Sequence, residues 1–290
     1  MLAQVIAGGL SAGSIYALVA LALVITYKTT AVPNFAQGEM AMVSAFVAYV
    51  LMTDFQTGFF VAFSVALVFA FALGVGFEAV ILRRVRNPTH LSVLVVTLGF
   101  QLALFGLAGW KWGAEQRQFP FPVSANAVIR MGDVSISTLG VATIAISAVL
   151  MVSVFAFFRF TSLGLAMQAT QQDSMAARIN GVPTRRVMGL TFGISSVIGA
   201  VAALLTAPLI TLDPTLMWDP LLKGFAAAVL GGLNTPVGAV LGGYLLGLIE
   251  NLFGAYVSVE FKSAVAFLVI ILVLCFRPSG LFARHHQRNV

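Results

Sequence analysis

The side chains with the clearest chemical potential in this sequence are two amides and an acid that interrupt apolar runs. Asn34, Gln37 and Glu39 lie in segment 33–39, which begins with a helix-breaking proline. In a membrane, such irregular backbone must line a cavity or lie within protein, and interrupted helices present unpaired N–H and C=O groups to ligands. We therefore predict that the segment lines a translocation pathway. The alternative is a short cytoplasmic turn in which Asn34 and Gln37 cap the next helix and the helix dipole favours Glu39.

Two further polar positions fit the same interpretation. Asn234 lies in a second break, 231–238, which is rich in glycine and contains a proline, and this break falls in the opposite half of the chain. Gln101 lies in the middle of an apolar run, where an amide is expected to face the interior of a helix bundle. Gln101 is either a contact between helices or a lining residue of the pathway. Asn34, Gln37, Glu39, Gln101 and Asn234 are the predicted pathway residues.

Several kinds of chemistry are excluded by residue type and position. The single cysteine, Cys275, rules out a disulfide framework within the chain and a cysteine-built metal site. His90, His285 and His286 all lie outside the long apolar runs, which argues against a haem held within the membrane. The sequence has no GxxxxGK[ST] phosphate loop and no pairing of a nucleophile with a base. We therefore predict no catalytic residue, no metal site and no cofactor held by this chain.

The composition places these residues in a membrane. Of 290 residues, 60% are hydrophobic and only 9% are charged, and the mean hydropathy is +1.00, whereas soluble domains carry about 25% charged residues. Nine apolar runs predict an all-α, polytopic transmembrane bundle with broken or re-entrant helices, built as a single domain over 1–290 and crossing the bilayer seven to nine times. The runs are about 3–27, 39–53, 58–82, 91–110, 136–158, 188–212, 221–233, 237–253 and 261–276.

The net charge of +6 indicates a membrane orientation rather than binding to nucleic acid, because Lys and Arg concentrate in cytoplasmic loops. Placing the amino terminus outside and the carboxyl terminus in the cytoplasm puts eleven of the sixteen cations inside. The eleven are Lys28, Arg83, Arg84, Arg86, Arg159, Arg178, Arg185, Arg186, Arg277, Arg284 and Arg288, and the outer five are Lys111, Arg117, Arg130, Lys223 and Lys262. Among the acids, Glu78 is predicted to pair with Arg83, and Glu250 to face the outer interface.

The cytoplasmic loop 159–187 is predicted to contain a helix over about 164–179, ended by Gly181 and Pro183. Its spaced apolar residues, which include Met175 and Ile179, favour a helix at the membrane surface with one face free for a partner. The alternative is an ordinary interfacial loop helix.

This loop resembles the EAA-type loop of ABC importer permeases, in the form found in the branched-chain amino-acid (Liv) permease family. The matching residues are Gly164, Ala166, Gln168, Ala169, Ala176, Ala177, Gly181 and Val182. Segment 34–39 is similar to the family's Asn-Phe-Ala-(His/Gln)-Gly-Glu signature, and residues 9–18, 228–232 and 277–281 match further motifs in order. Gln37 and Gln168 depart from the commoner His and Arg. The similarity covers nearly the whole chain, and the length suits the shorter permease of the family.

The resemblance implies a permease subunit of the bacterial inner membrane that translocates branched-chain amino acids or related small solutes by alternating access. Its expected partners are a second permease, two cytoplasmic ATP-binding subunits that hydrolyse ATP, and an external solute-binding protein, all assembled at the lipid bilayer. The loop is expected to dock on an ATP-binding subunit through Gly164, Ala166, Ala169, Asp173, Ala176, Ala177 and Gly181.

Three alternatives remain open at this point. The first is a permease for urea or short-chain amides in the same superfamily, and the second is a stand-alone channel or secondary carrier. The third is a membrane subunit that serves assembly only. The sequence does not identify the solute, because an external binding protein usually selects it in this family.

Overall fold

The computed structural model describes residues 2–85, 89–122, 128–131, 134–277 and 280–282. The sequence predictions that involve Arg86, Pro278, Ser279, Arg284, His285, His286 and Arg288 lie outside these residues. Within them the chain is almost entirely helical, which confirms the predicted class. The helices are α1 (Leu2–Thr30), α2 (Gln37–Thr53), α3 (Phe59–Gly76), α4 (His90–Trp112), α5 (Thr138–Phe160), α6 (Ser162–Gln172), α7 (Ser174–Ile179), α8 (Thr184–Thr206), α9 (Trp218–Gly231), α10 (Pro236–Tyr256) and α11 (Ala264–Phe276).

The part of the chain that the structure describes also contains two short non-α features. Helix α3 continues through a π-helical turn, Phe77–Ile81, into a 3₁₀ turn, Leu82–Arg84. The polar segment before α5 forms an antiparallel hairpin of β1 (Val128–Met131) and β2 (Val134–Ser137), in register Val128 with Ser137.

Among the described residues, six helices are long and apolar enough to cross a membrane: α1, α3 with its extension, α4, α5, α8 and α10. The remaining three predicted runs correspond to shorter helices, α2 with 17 residues, α9 with 14 and α11 with 13. The predicted number of crossings therefore depends on how these short helices sit in the bilayer.

Helix α1 lies at the centre of the bundle and packs against α8, α9 and α10. Helix α10 runs antiparallel to it, and small residues allow the two backbones to approach closely. A Cβ added at Gly247 would lie 2.5 Å from the Cα of Gly13, so neither position has room for a side chain. The glycines four residues apart in each helix, Gly9 and Gly13 in α1 and Gly243 and Gly247 in α10, thus serve close packing.

Helix α3 is apolar on every side, and its spacing of small residues decides which side is buried. Its buried residues, Ala62, Ala66, Ala70 and Gly74, recur every fourth position and so form one stripe. This stripe packs on α8, while large residues such as Phe60 and Val68 remain exposed, as expected for a surface that faces lipid.

The cations predicted to lie together do meet at one end of the bundle. Lys28 and Arg159 line one cavity there with Gln168 of α6, and Arg83 and Arg185 line a second. We refer to this as the α6–α7 end. Arg117 lies at the opposite end, where its backbone pairs with Leu212.

Candidate functional site

The break between α1 and α2 is a tight turn closed by a buried amide. Asn34 is 2% exposed, and its Oδ1 accepts a hydrogen bond from the backbone N–H of Ala36 at 3.2 Å. Its Nδ2 donates to Gln37 Oε1 at 3.4 Å. The residue that caps α2 is Ala36, which provides no side-chain hydrogen bond. Asn34 therefore shapes the turn before the helix rather than capping the helix itself.

Gln37 connects this turn to the middle of two long helices. Its Nε2 donates to the carbonyl oxygen of Ser195 at 3.0 Å. The Ser195 hydroxyl lies 3.2 Å from Gln37 Oε1 and 2.8 Å from the carbonyl oxygen of Ala22. Helix α1 continues from Ala22 to Thr30, so the chain turns back into the bundle before α2 begins. The break is thus enclosed by protein, as irregular backbone within a membrane must be.

Glu39 and Gln101 form a second buried polar contact. Gln101 Nε2 donates to Glu39 Oε1 at 3.0 Å, which confirms that Gln101 faces the bundle interior. Glu39 is 1% exposed, and its Oε2 has no hydrogen-bond partner among the described residues. The Trp218 indole lies near this carboxylate without satisfying hydrogen-bond geometry. Burying an acid with one unpaired oxygen costs free energy, so Glu39 is a candidate functional residue of the membrane bundle.

These contacts surround a cavity of about 200 Å³. Asn34 and Gln101 line it directly, and Gln37 and Glu39 lie behind them through the hydrogen bonds just described. Helix α9 supplies one wall through residues three and four positions apart, which share a helix face. These are Trp218, Leu221, Leu222 and Phe225. Four of the five predicted pathway residues therefore meet at one place.

The fifth, Asn234, lies elsewhere. It is exposed in the turn between α9 and α10, and Pro236 at the end of this turn lines the cavity that holds Lys28 at the α6–α7 end. The glycines of this turn serve close packing, because a Cβ on Gly231 would collide with the backbone of Gly238. Asn234 is not among the described residues that line the cavity of Asn34 and Gln101.

The prediction that Glu250 faces the outer interface is wrong. Glu250 is buried rather than exposed, and its Oε1 accepts a hydrogen bond from Lys223 Nζ at 2.7 Å. Lys223 is also buried, and it forms a second ion pair with Asp219 at 2.7 Å. A charge in a short apolar helix looks like a surface residue in the sequence, because its partner is 27 positions away in another helix. The predicted pair of Glu78 and Arg83 is confirmed at 2.6 Å.

The predicted surface helix is two helices rather than one. Asp173 adopts an extended backbone between α6 and α7, and its Oδ1 accepts hydrogen bonds from the backbone N–H groups of Met175 and Ala176 at 2.8 and 3.0 Å. An aspartate in this position is a strong N-cap, so it ends α6 and starts α7 with a change of direction.

The predicted docking residues divide into buried and accessible ones. Gly164 and Ala177 are buried, and a Cβ on Gly164 would lie 2.7 Å from the Cα of Phe158. Gly181 has a φ of +83°, which favours glycine. Ala166 and Ala169 are half-buried, whereas Asp173 and Ala176 are exposed.

The most exposed apolar side chains of α7 are Met175, 68% exposed, and Ile179, 77% exposed. They are four residues apart and therefore share one face of the helix. The resemblance to the family loop did not single out these two residues, although their apolar character and their spacing of four are visible in the sequence.

Comparisons with known proteins agree with this architecture. Residues 5–274 match the family described as "Branched-chain amino acid transport system / permease component". The chain is 31% identical to the high-affinity branched-chain amino acid transport system permease protein LivH of Escherichia coli K12, across 97% of this chain and 96% of that protein. It is 30% identical to BraD of Pseudomonas aeruginosa PAO1, which has the same description, across 99% and 97%. The chain belongs to this permease family.

A solved structure supports the fold of this permease. The structure described as PsaBC from Streptococcus pneumoniae in complex with Fab aligns with a TM-score of 0.51 over 94% of this chain and 91% of that chain. At 13% sequence identity the likeness concerns the fold alone. The family thus identifies the chain as a membrane permease component of a transport system, and the cavity at Asn34 and Gln101 is the candidate site within it.

Proposed function

We propose that this chain is a pore-forming permease subunit of an ATP-driven importer for branched-chain amino acids or related small solutes. The observation that carries the proposal is family membership over nearly the full length of both this chain and its relatives. The chain itself would bind no cofactor or metal and catalyse no reaction, because ATP would be hydrolysed on separate subunits. The complete importer would contain a second permease, two cytoplasmic ATP-binding subunits and an external solute-binding protein.

The location and orientation in this proposal follow from charge. The chain would lie in the bacterial inner membrane with its amino terminus outside and its carboxyl terminus in the cytoplasm. This orientation is supported by the cations at the α6–α7 end, since cations favour the cytoplasmic side. They are Lys28, Arg83, Arg159 and Arg185. The ATP-binding subunits would then have direct access to α6 and α7.

The proposed docking surface is the exposed apolar face of α7, formed by Met175 and Ile179. Buried neighbours such as Gly164 and Ala177 would position it rather than touch the partner. A test introduces a charge on this face, as Met175→Glu and Ile179→Glu, and measures how much ATP-binding subunit co-purifies with the permease. Both variants should lose the partner.

The matched control is Ser174→Glu, which places the same charge one residue away at the first position of α7. A glutamate is favoured there by the helix dipole, and co-purification should persist. If both single variants, Met175→Glu and Ile179→Glu, still co-purify with the ATP-binding subunit, this face is not the docking surface.

The proposed translocation pathway includes the cavity of Asn34 and Gln101. Gln101→Leu removes the hydrogen bond to Glu39 and makes the wall apolar without a large change in volume. Leucine uptake by the assembled importer should fall, whereas the ATP-binding subunit should still co-purify with the permease. Uptake equal to that of the wild type would remove this cavity from the pathway.

The experiment that decides the function is reconstitution of the purified proteins into liposomes. Flux of leucine, urea and acetamide is measured for the permease alone and for the assembly with its ATP-binding subunits and binding protein. The proposal expects leucine uptake only in the complete assembly and only with ATP. Flux through the permease alone would identify a channel or secondary carrier, and uptake of urea or acetamide instead of leucine would identify a different cargo.

A further inference from the structure

A second cavity lies on the other side of α9. It measures about 460 Å³, which falls in the range of about 300–1,000 Å³ that is usual for small-molecule sites. Its walls come from the first half of α1, the segment after α8, the start of α9 and the end of α10. Asp219 and Pro220 line this cavity, whereas the neighbouring Trp218 and Leu221 line the cavity of Asn34 and Gln101. Helix α9 is therefore a partition between two cavities.

The negative charge at this cavity is only partly compensated. Lys223 Nζ lies 2.7 Å from a carboxylate oxygen of Asp219 and 2.7 Å from one of Glu250. One ammonium group thus serves two carboxylates, and the cluster carries an excess negative charge. Glu250 is 2% exposed, whereas the side chain of Asp219 is 53% exposed and lines the cavity. Asp219 is consequently the accessible part of this excess charge.

A positive charge lines the same cavity. Lys262 Nζ donates a hydrogen bond to the neutral amide oxygen of Asn251 at 2.9 Å. Within the part of the chain that the structure describes, no carboxylate forms an ion pair with Lys262. An anion could therefore approach Lys262 without displacing a charged partner.

Apolar side chains line the same cavity. Ile15, Leu209 and Ile210 line the cavity together with Asp219 and Lys262. Opposite charges beside an aliphatic wall match a ligand that carries both an ammonium and a carboxylate group on an aliphatic body. We propose that this cavity binds an aliphatic amino acid as a zwitterion, with its ammonium on Asp219 and its carboxylate on Lys262. The inference rests on the proposed function for the cargo class and adds a site for that cargo.

The test measures protection of a cysteine in the cavity wall. Ser11 lines the cavity, so Ser11→Cys is introduced into the complete importer on a Cys275→Ser background and its reaction rate with a water-soluble maleimide is followed. Leucine should slow the reaction. Neither 4-methylpentanoate, which lacks the ammonium, nor 3-methylbutylamine, which lacks the carboxylate, should do so at the same concentration. Thr53→Cys is the control, because it is exposed on α2 and lies outside this cavity.

The charge requirement is tested at Lys262. Lys262→Met should raise the leucine concentration for half protection about 10- to 100-fold, because a charged hydrogen bond to the ligand is lost. Lys262→Arg should retain protection, which separates loss of charge from misfolding. Lys111→Met removes a different cation, which is exposed and lies outside the cavity, and should leave protection unchanged.

The outcomes distinguish this site from the proposed function. Leucine uptake without protection of Ser11→Cys, or equal protection by all three compounds, would overturn the site and leave the importer function standing. Protection unaffected by Lys262→Met would also overturn it. If the complete importer takes up no amino acid, the proposed function fails, and the zwitterion site fails with it.

Discussion

Replacing Lys223 by methionine is expected to destabilise the permease strongly. In the wild type its ammonium lies 2.7 Å from both Glu250 and Asp219, and the side chains of Lys223 and Glu250 are 6% and 2% exposed. Lys223→Met leaves the buried Glu250 without a cation. Removal of one partner from a buried ion pair costs about 3–5 kcal/mol.

The structure also predicts a ranking among the three charged residues. Glu250→Gln leaves Lys223 paired with Asp219 and should cost less, about 1–3 kcal/mol for a disturbed buried hydrogen bond. Asp219→Asn should cost about 1 kcal/mol or less, because Asp219 is half exposed and its pair is screened. The double variant Lys223→Met/Glu250→Leu removes both buried charges and should recover most of the loss from Lys223→Met alone.

Thermal melting of the purified permease in detergent measures this ranking. At about 2–4 °C per kcal/mol, Lys223→Met should lower the melting temperature by roughly 6–20 °C, and the double variant should regain most of that shift. A melting temperature for Lys223→Met equal to that of the wild type would refute the reasoning. A double variant no more stable than Lys223→Met would refute it as well.

Three further predictions concern backbone geometry. Gly247→Ala forces α1 and α10 apart, because the new Cβ would lie 2.5 Å from the Cα of Gly13. It should lower the free energy of unfolding by about 1–3 kcal/mol, measured by thermal melting. The control Gly99→Ala has open space in α4 and should be neutral or stabilising. Gly181→Ala has space for its Cβ but a φ of +83°; it should cost about 1–2 kcal/mol, visible as faster proteolysis of the α6–α7 segment. Asp173→Ala removes the cap of α7, worth about 1 kcal/mol, and should weaken co-purification of the ATP-binding subunit, whereas Asp173→Asn should preserve it.

Much of the fold could be predicted from the sequence, because apolar runs in a membrane protein correspond closely to helices. The local pair of Glu78 and Arg83 was also predicted, from opposite charges close together in the sequence. Residues five apart do not share a face of a regular α-helix, so the π-helical turn Phe77–Ile81, which the sequence did not predict, allows the two side chains to meet. The split between α6 and α7 was missed because most residues around it favour helix, and Asp173, a residue type preferred at N-caps, was predicted to lie within one continuous helix. Only the capping hydrogen bonds of Asp173 show where one helix ends and the next begins.

Contacts between distant segments were beyond the sequence pattern. The interior position of Gln101 was predicted from the cost of a lipid-exposed amide, but its partner Glu39 is 62 residues away. Asn234 and Asn34 look alike in the sequence, because each is a polar residue in a break between apolar runs. They differ in the structure, where Asn34 is buried and Asn234 is exposed. The buried ion pair of Lys223 could not be predicted either, because its partner Glu250 lies in another helix.

The burial of α1 has a consequence for biogenesis. Residues 13–26 of α1 are buried, and the three helices that pack most extensively against α1, namely α8, α9 and α10, begin at Thr184 or later. Synthesis of α1 is therefore finished more than 150 residues before these three main partners are made. An apolar helix can remain in lipid at little cost during that interval, because lipid tails are as apolar as its leucines. The central helix of the finished permease is thus exposed to lipid while the later helices are still being made, and its enclosure by those helices is among the last steps of assembly.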